Sequence, residues 1–111
     1  MATAYKNFAY STVLTAPTPA TSGTSLVVQS GDGTKFPDVP FNATIWPVGV
    51  QPITTNAEIV TVTAVSTDTF TIVRAQESTS ARTVVVGDQI AFNITAQTFM
   101  PISELLNQMY Q

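Results

Sequence analysis

"AEIVTVTAVSTDTFTIVRAQ", residues 57–76, decides the fold. Two runs rich in β-branched residues, 57–66 and 69–76, flank "STDT", a link of hairpin length. In the second run Phe70, Ile72 and Arg74 fall on one face and Thr71 and Val73 on the other. That period of two belongs to a half-buried strand. The stretch is expected to form an antiparallel hairpin.

The neighbouring segments follow the same pattern. In "SLVVQSGDGTKFP" (25–37) a strand over 26–29 precedes the turn "SGDG", whose glycines can adopt positive φ. "FNATIWPV" (41–48) alternates Phe41, Ala43 and Ile45 against Asn42, Thr44 and Trp46, giving another strand. Pro47 and Pro52 bracket its end and place that end at a sheet edge or loop. "VVVGDQIAFNIT" (84–95) holds a turn at Gly87–Asp88 and a last strand with Ile90, Phe92 and Ile94 on one side.

Composition agrees with this reading. The chain has 111 residues, the size of one domain, and 44% of them are apolar, enough for a core. Only 10% are charged, against roughly 25% in an average soluble domain. Thr, Ser and Val take their place, residues that suit a pleated surface better than a helix. A net charge of −3 with four scattered basic residues offers no footprint for nucleic acid. No apolar run approaches the ~20 residues that span a bilayer. The start, "MATAYKNFAYSTVL", lacks the basic and apolar regions of a signal peptide, so synthesis in the cytoplasm is expected.

The two termini read differently from the middle. Residues 1–24 are expected to be an extended arm: "TAPTPATSGTS" (15–25) contains Pro17, Pro19 and Gly23 among small polar residues. Tyr5, Phe8, Tyr10 and Leu14 are its large apolar side chains, anchors either on the chain's own domain or on a neighbouring subunit. A β-domain fills 25–96. Over 97–111 the period changes, with Ile102, Leu105, Leu106, Met109 and Tyr110 on one helical face. Such a short helix does not persist alone in water and must dock on its own domain or a partner. The expected fold is therefore all-β, a small antiparallel β-sandwich or barrel with an extended N-terminal arm and a short C-terminal helix.

Catalytic chemistry finds little support. The chain has no His and no Cys, which removes the commonest general base and the strongest metal ligands. A serine nucleophile would depend on Lys6 or Lys35, and neither lies beside a Ser on a strained elbow. Glu58, Glu77 and Asp88 could in principle supply a carboxylate pair, yet each reads as a solvent-facing strand or turn residue. Asp32 between two glycines is a turn residue before it is a calcium ligand. Trp46 is a candidate sugar-stacking residue, although a lone Trp at a strand end usually belongs to a core. No enzyme activity, cofactor or metal is expected.

The polar run "VRAQESTSARTVVVGD" (73–88) holds two of the four basic residues. Arg74 sits on the Phe70/Ile72 face near a strand end, where its stem can cover apolar surface and its guanidinium can fork onto a carboxylate. Glu77 or Glu58 is the candidate partner, so Arg74 and Glu77 are expected to order the following loop. Arg82 is expected to be exposed, an interface charge.

"FPDVPFNATIWP" (36–47) and "NAEIVTVTAVSTDTFTIVRAQESTSARTVVVGDQI" (56–90) together resemble a small β-module of tailed-bacteriophage virion structural proteins. In that module a Phe-Pro segment leads into a strand, two strands pair, and a Thr/Ala-containing loop and a Gly-Asp turn precede the last strand. The resemblance covers residues 36–95 and is most specific at "VRAQESTSA" and "GDQI"; many members carry glycine where this chain has Ser78. It implies a non-enzymatic virion protein on the particle exterior, made in the host cytoplasm. A small domain with an arm suits a capsid decoration (cement) protein, often a homotrimer, bound to the major capsid protein or other virion proteins. Tyr5, Phe8, Tyr10, Leu14, Arg82, Leu105, Leu106 and Met109 are the expected partner-binding residues. Two alternatives stay open. One is a tail-tip, collar or fibre module packing its helix in a trimeric stem. The other is a carbohydrate-binding attachment module built on Trp46.

Overall fold

The computed structural model describes residues 9–92. Six strands form a closed antiparallel barrel: β1 (Tyr10–Thr15), β2 (Ser25–Val28), β3 (Phe41–Trp46), β4 (Glu58–Ser66), β5 (Thr69–Gln76) and β6 (Gln89–Phe92). Around the barrel their order is β1-β2-β5-β4-β3-β6. Of the two architectures expected from sequence, the barrel is the one formed. Among the described residues, closure leaves no strand edge open for pairing with another chain.

The β4–β5 hairpin is the spine of the barrel, turning through Thr67 and Asp68 with Ser66 opposite Thr69. Two register shifts, at Ile59/Thr61 and Val62/Ala64, bend β4; such bulges coil a sheet toward closure. On the inner face of β5, Phe70 and Ile72 are buried, and β3 buries Phe41, Ala43 and Ile45 as its alternation requires. At one end Phe36, Phe41, Phe70 and Phe92 pack with ring centres 5.0–6.1 Å apart. Val84, outside any strand, fills the core near the other end.

A 3-10 turn, Asp32–Lys35, follows β2 and docks on the hairpin. Asp68 accepts hydrogen bonds from the N–H groups of Gly31 (3.1 Å) and Gly33 (2.9 Å). A Cβ at Gly33 would collide with the carbonyl oxygen of Thr67. Glycine is therefore required there by close approach rather than by φ.

One expectation changes here. The segment 1–24 is not an arm throughout, because Tyr10–Thr15 is a barrel strand paired with both β2 and β6. Its inward residues are Ser11 and Val13, while Tyr10 and Leu14 point outward and are exposed. The inward serine hides the pattern. Its hydroxyl donates to Asp32 (2.6 Å) and accepts from the N–H of Gln29 (3.2 Å), so a polar side chain occupies a core position. The last strand, Gln89–Phe92 within the described residues, follows the turn at Gly87–Asp88 as expected. Tyr5, Phe8, Ile94 and the stretch expected to be helical, with Leu105, Leu106 and Met109, lie outside the described residues.

Candidate functional site

Strand register places three loops at one end of the barrel. Trp46 at the end of β3 pairs with Gln89 at the start of β6, and Ile45 pairs with Glu58 at the start of β4. Thr12 of β1 also faces Gln89. The connections 16–24, 47–57 and 77–88 therefore emerge together. At the opposite end Ala9 and Phe92 are hydrogen-bonded to each other (2.8 Å), so the segments before and after the barrel join it there.

Arg74 and Glu58 organise the loop end. Arg74 donates from Nε to Glu58 Oε2 (2.8 Å) and from Nη2 to Oε1 (2.9 Å), a forked pair. Its remaining donors reach carbonyls of Gly23 (3.0 Å), Ala20 (3.1 Å) and Arg82 (2.9 Å). Glu58 also accepts from the backbone N–H groups of Ala75 (2.8 Å) and Arg82 (3.0 Å). Two side chains on neighbouring strands thus fix segments of the first and third loops. Burial pushes the Glu58 carboxyl up, but Arg74 and the two backbone donors outweigh it, so its pKa lies below the ordinary 4.5.

A second pair locks the third loop. Arg82 donates from Nη2 (2.8 Å) and Nε (3.2 Å) to Asp88 Oδ2, which also accepts from the Val85 N–H (3.0 Å). Arg82 Nη1 donates to the carbonyl of Asn56 (2.8 Å), tying this loop to the β3–β4 loop. Gln89 Nε2 adds a bond to the Pro47 carbonyl (3.2 Å). The backbone turns sharply here: Ala75, Glu77 and Ser78 have φ of 54°, 53° and 67°. Non-glycine residues rarely adopt that left-handed region, and the ionic network holds them in it.

Two expectations are corrected at this site, and one left open is decided. Arg82 is not an exposed charge, because its guanidinium is spent on Asp88 and Asn56. Glu58 and Asp88 are not solvent-facing, being 0% and 2% exposed. Arg74 takes Glu58 rather than Glu77; the Glu77 carboxylate instead accepts from Asn42 Nδ2 (2.6 Å). Asp32 is occupied by Ser11 and Lys35, and the hydroxyl of Ser11 first, then Lys35, hold its carboxyl below its ordinary pKa. Trp46 donates its indole N–H to Val50 (2.9 Å), bracing its own loop.

Upon this scaffold five aliphatic side chains face solvent: Val48, Val50 and Ile53 on the second loop, Val85 and Val86 on the third. Val48 is 68% and Val86 65% exposed. The ionic groups beneath are satisfied internally, leaving a fixed apolar tip. The sequence signal was present in "PVGVQPI" and "VVVGD", apolar residues among turn formers that no strand absorbs. No model of a known protein family matches the chain, and no curated protein matches it either.

Proposed function

We propose that the chain is a non-enzymatic structural protein of a tailed-phage virion, a capsid decoration (cement) protein that binds the outer head surface and reinforces the shell. The observation that carries this reading is the apolar loop end, five exposed aliphatic side chains on loops held by buried ion pairs. Exposed aliphatic side chains gathered on loops at one end of the barrel mark an interaction site. Loops already fixed before contact lose little conformational entropy on binding. The resemblance of residues 36–95 to virion β-modules supplies the setting, and this stretch contains every residue of the tip.

Reinforcement would follow from mass action. A ligand that binds only the assembled shell stabilises that state in proportion to its occupancy. Apolar contact supplies roughly 25 cal/mol per Å² of surface removed from water, and an uncharged tip makes that contact insensitive to salt.

Immunogold labelling of intact virions with antibody against this domain tests the reading. Gold spread over the head is the expected result. Label confined to the neck or tail would replace decoration by a connector, tail-tip or fibre role. Absence of the protein from purified virions, checked by mass spectrometry, would end the virion reading.

A further inference from the structure

Three of the four basic residues are ion-paired among the described residues: Lys35 with Asp32, Arg74 with Glu58 and Arg82 with Asp88. The fourth, Lys6, precedes β1 and stands between Tyr5 and Phe8 in the sequence. Residues 1–8 therefore carry two aromatic side chains and one cation, with no acid. Strand β1 joins them to the barrel at the end opposite the loops, beside the stretch that follows β2. Two contacts fix that proximity: Ser11 donates to Asp32 (2.6 Å), and Lys35 stands 5.6 Å from the centre of the Tyr10 ring. The same stretch borders a groove of about 360 Å³, lined by Phe36, Pro37, Asp38, Val39 and, from the hairpin, Val65. Phe36 and Pro37 are buried, whereas Asp38 and Val39 are exposed. The groove thus combines apolar surface with a carboxylate.

We propose that residues 1–8 fold back on their own barrel and occupy this groove, Tyr5 and Phe8 covering Phe36, Pro37 and Val39 while Lys6 meets Asp38. Charge complementarity selects this segment over the other one that leaves the barrel nearby. Ala9 and Phe92 are hydrogen-bonded to each other (2.8 Å), so residues 93–111 depart from the same place. Their charged residue is Glu104. Asp32, Asp38 and Asp68 already outnumber Lys35 at this end, and a further carboxylate adds repulsion. Tethering selects residues 1–8 over a separate molecule. Lys6 is three residues from Ala9 and hence within about 11 Å of it. A group on so short a tether acts at millimolar effective concentration. The aromatic contacts supply the affinity, because an exposed ion pair contributes little beyond register. A segment committed to its own barrel leaves contact with other proteins to the loop end, wherever a virion carries the chain.

Amide hydrogen exchange on the full-length chain tests it without any phage particle. The amides of residues 5–8 are expected to exchange about 10-fold or more slowly than in an unstructured peptide, and equally so at every protein concentration. Lys6→Glu or Asp38→Lys alone should cut that protection by roughly 5-fold, and the two together should restore it. Tyr5→Ser should cut it by about 10-fold, whereas Val86→Lys at the loop end should leave it unchanged. Val39→Lys, exposed on the same groove, is the second probe should Asp38→Lys lose its native circular dichroism. Exchange at the unstructured rate overturns the proposal. So does protection that fades on dilution, which would place the segment on a neighbouring molecule. Protection indifferent to folded groove variants, or a double reversal no better protected than either single one, overturns it as well. Immunogold decides the virion reading separately, so either can fail while the other stands.

Discussion

The two ends of the barrel each carry an arginine or lysine bonded to a carboxylate, and they use the pair differently. At the loop end Arg74 meets Glu58 at 2.8 Å with side-chain exposures of 8% and 0%. At the opposite end Lys35 meets Asp32 at 3.0 Å, exposed by 48% and 19%. Distance barely separates them, whereas solvent does. An exposed pair exchanges hydration for little gain. A buried pair contributes through what its loss leaves behind, an ion without water or partner. The 3-10 turn end is held by backbone donors on Asp68 and by the absence of a Cβ at Gly33. The loop end, which has little regular structure, depends on its ions.

Breaking this comparison should produce a graded series. Arg74→Met strands Glu58 in the interior and should destabilise the fold by about 3–5 kcal/mol in chemical unfolding. A loss below about 1 kcal/mol would show that water replaces the guanidinium and that the end is not ionically organised. Arg82→Met comes next. It uncouples Asp88 and Asn56, with an expected cost of about 2–3 kcal/mol and faster proteolysis within 77–88.

Acid acts on the same network. The Glu58 carboxyl is depressed in the folded state, so its contribution is complete above the unfolded value of 4.5 and is lost as pH falls through the lower folded value. The stability gap between wild type and Arg74→Met should therefore narrow as pH falls, beginning above 4.5, where the stranded Glu58 of the variant takes up its proton, and continuing through the lowered wild-type value. A gap independent of pH down to the acid transition would contradict the assigned ion pair.

Smaller effects sharpen the contrast. Ser78 holds φ at 67°, a conformation that glycine adopts without strain, so Ser78→Gly should change stability by about 1 kcal/mol or less, in the stabilising direction. At the far end Lys35→Met removes a solvent-exposed pair and should leave the melting temperature where it was. A marked drop there would mean that the two ends are more alike than their burial indicates.

Part of the candidate site was legible in residues close in sequence. Arg74 lies at an inward position of a strand that otherwise presents Phe70 and Ile72, which marks it as a buried cation in need of a carboxylate. The choice of Glu58 over Glu77 was not legible. Glu77 is three residues from Arg74, but the chain turns through positive φ at Ala75 and Glu77 and carries it away. Glu58 arrives from the next strand, brought alongside by the Ile59–Gln76 register.

The sequence by itself determined what depends on near neighbours: an all-β chain, the β4–β5 hairpin, and the inward set of β3. Alternation between water and core is written at every second residue, so a local window contains it. Tertiary structure alone decided that the sheet closes, that the polar stretch YSTVLT supplies the closing strand, and that Arg82 and Asp88 turn inward. Each of these rests on contacts between residues far apart in the chain, as when Arg74 donates to Ala20 across 54 positions. A polar group becomes an interior group only once a partner is brought to it, and that partner is delivered by the fold.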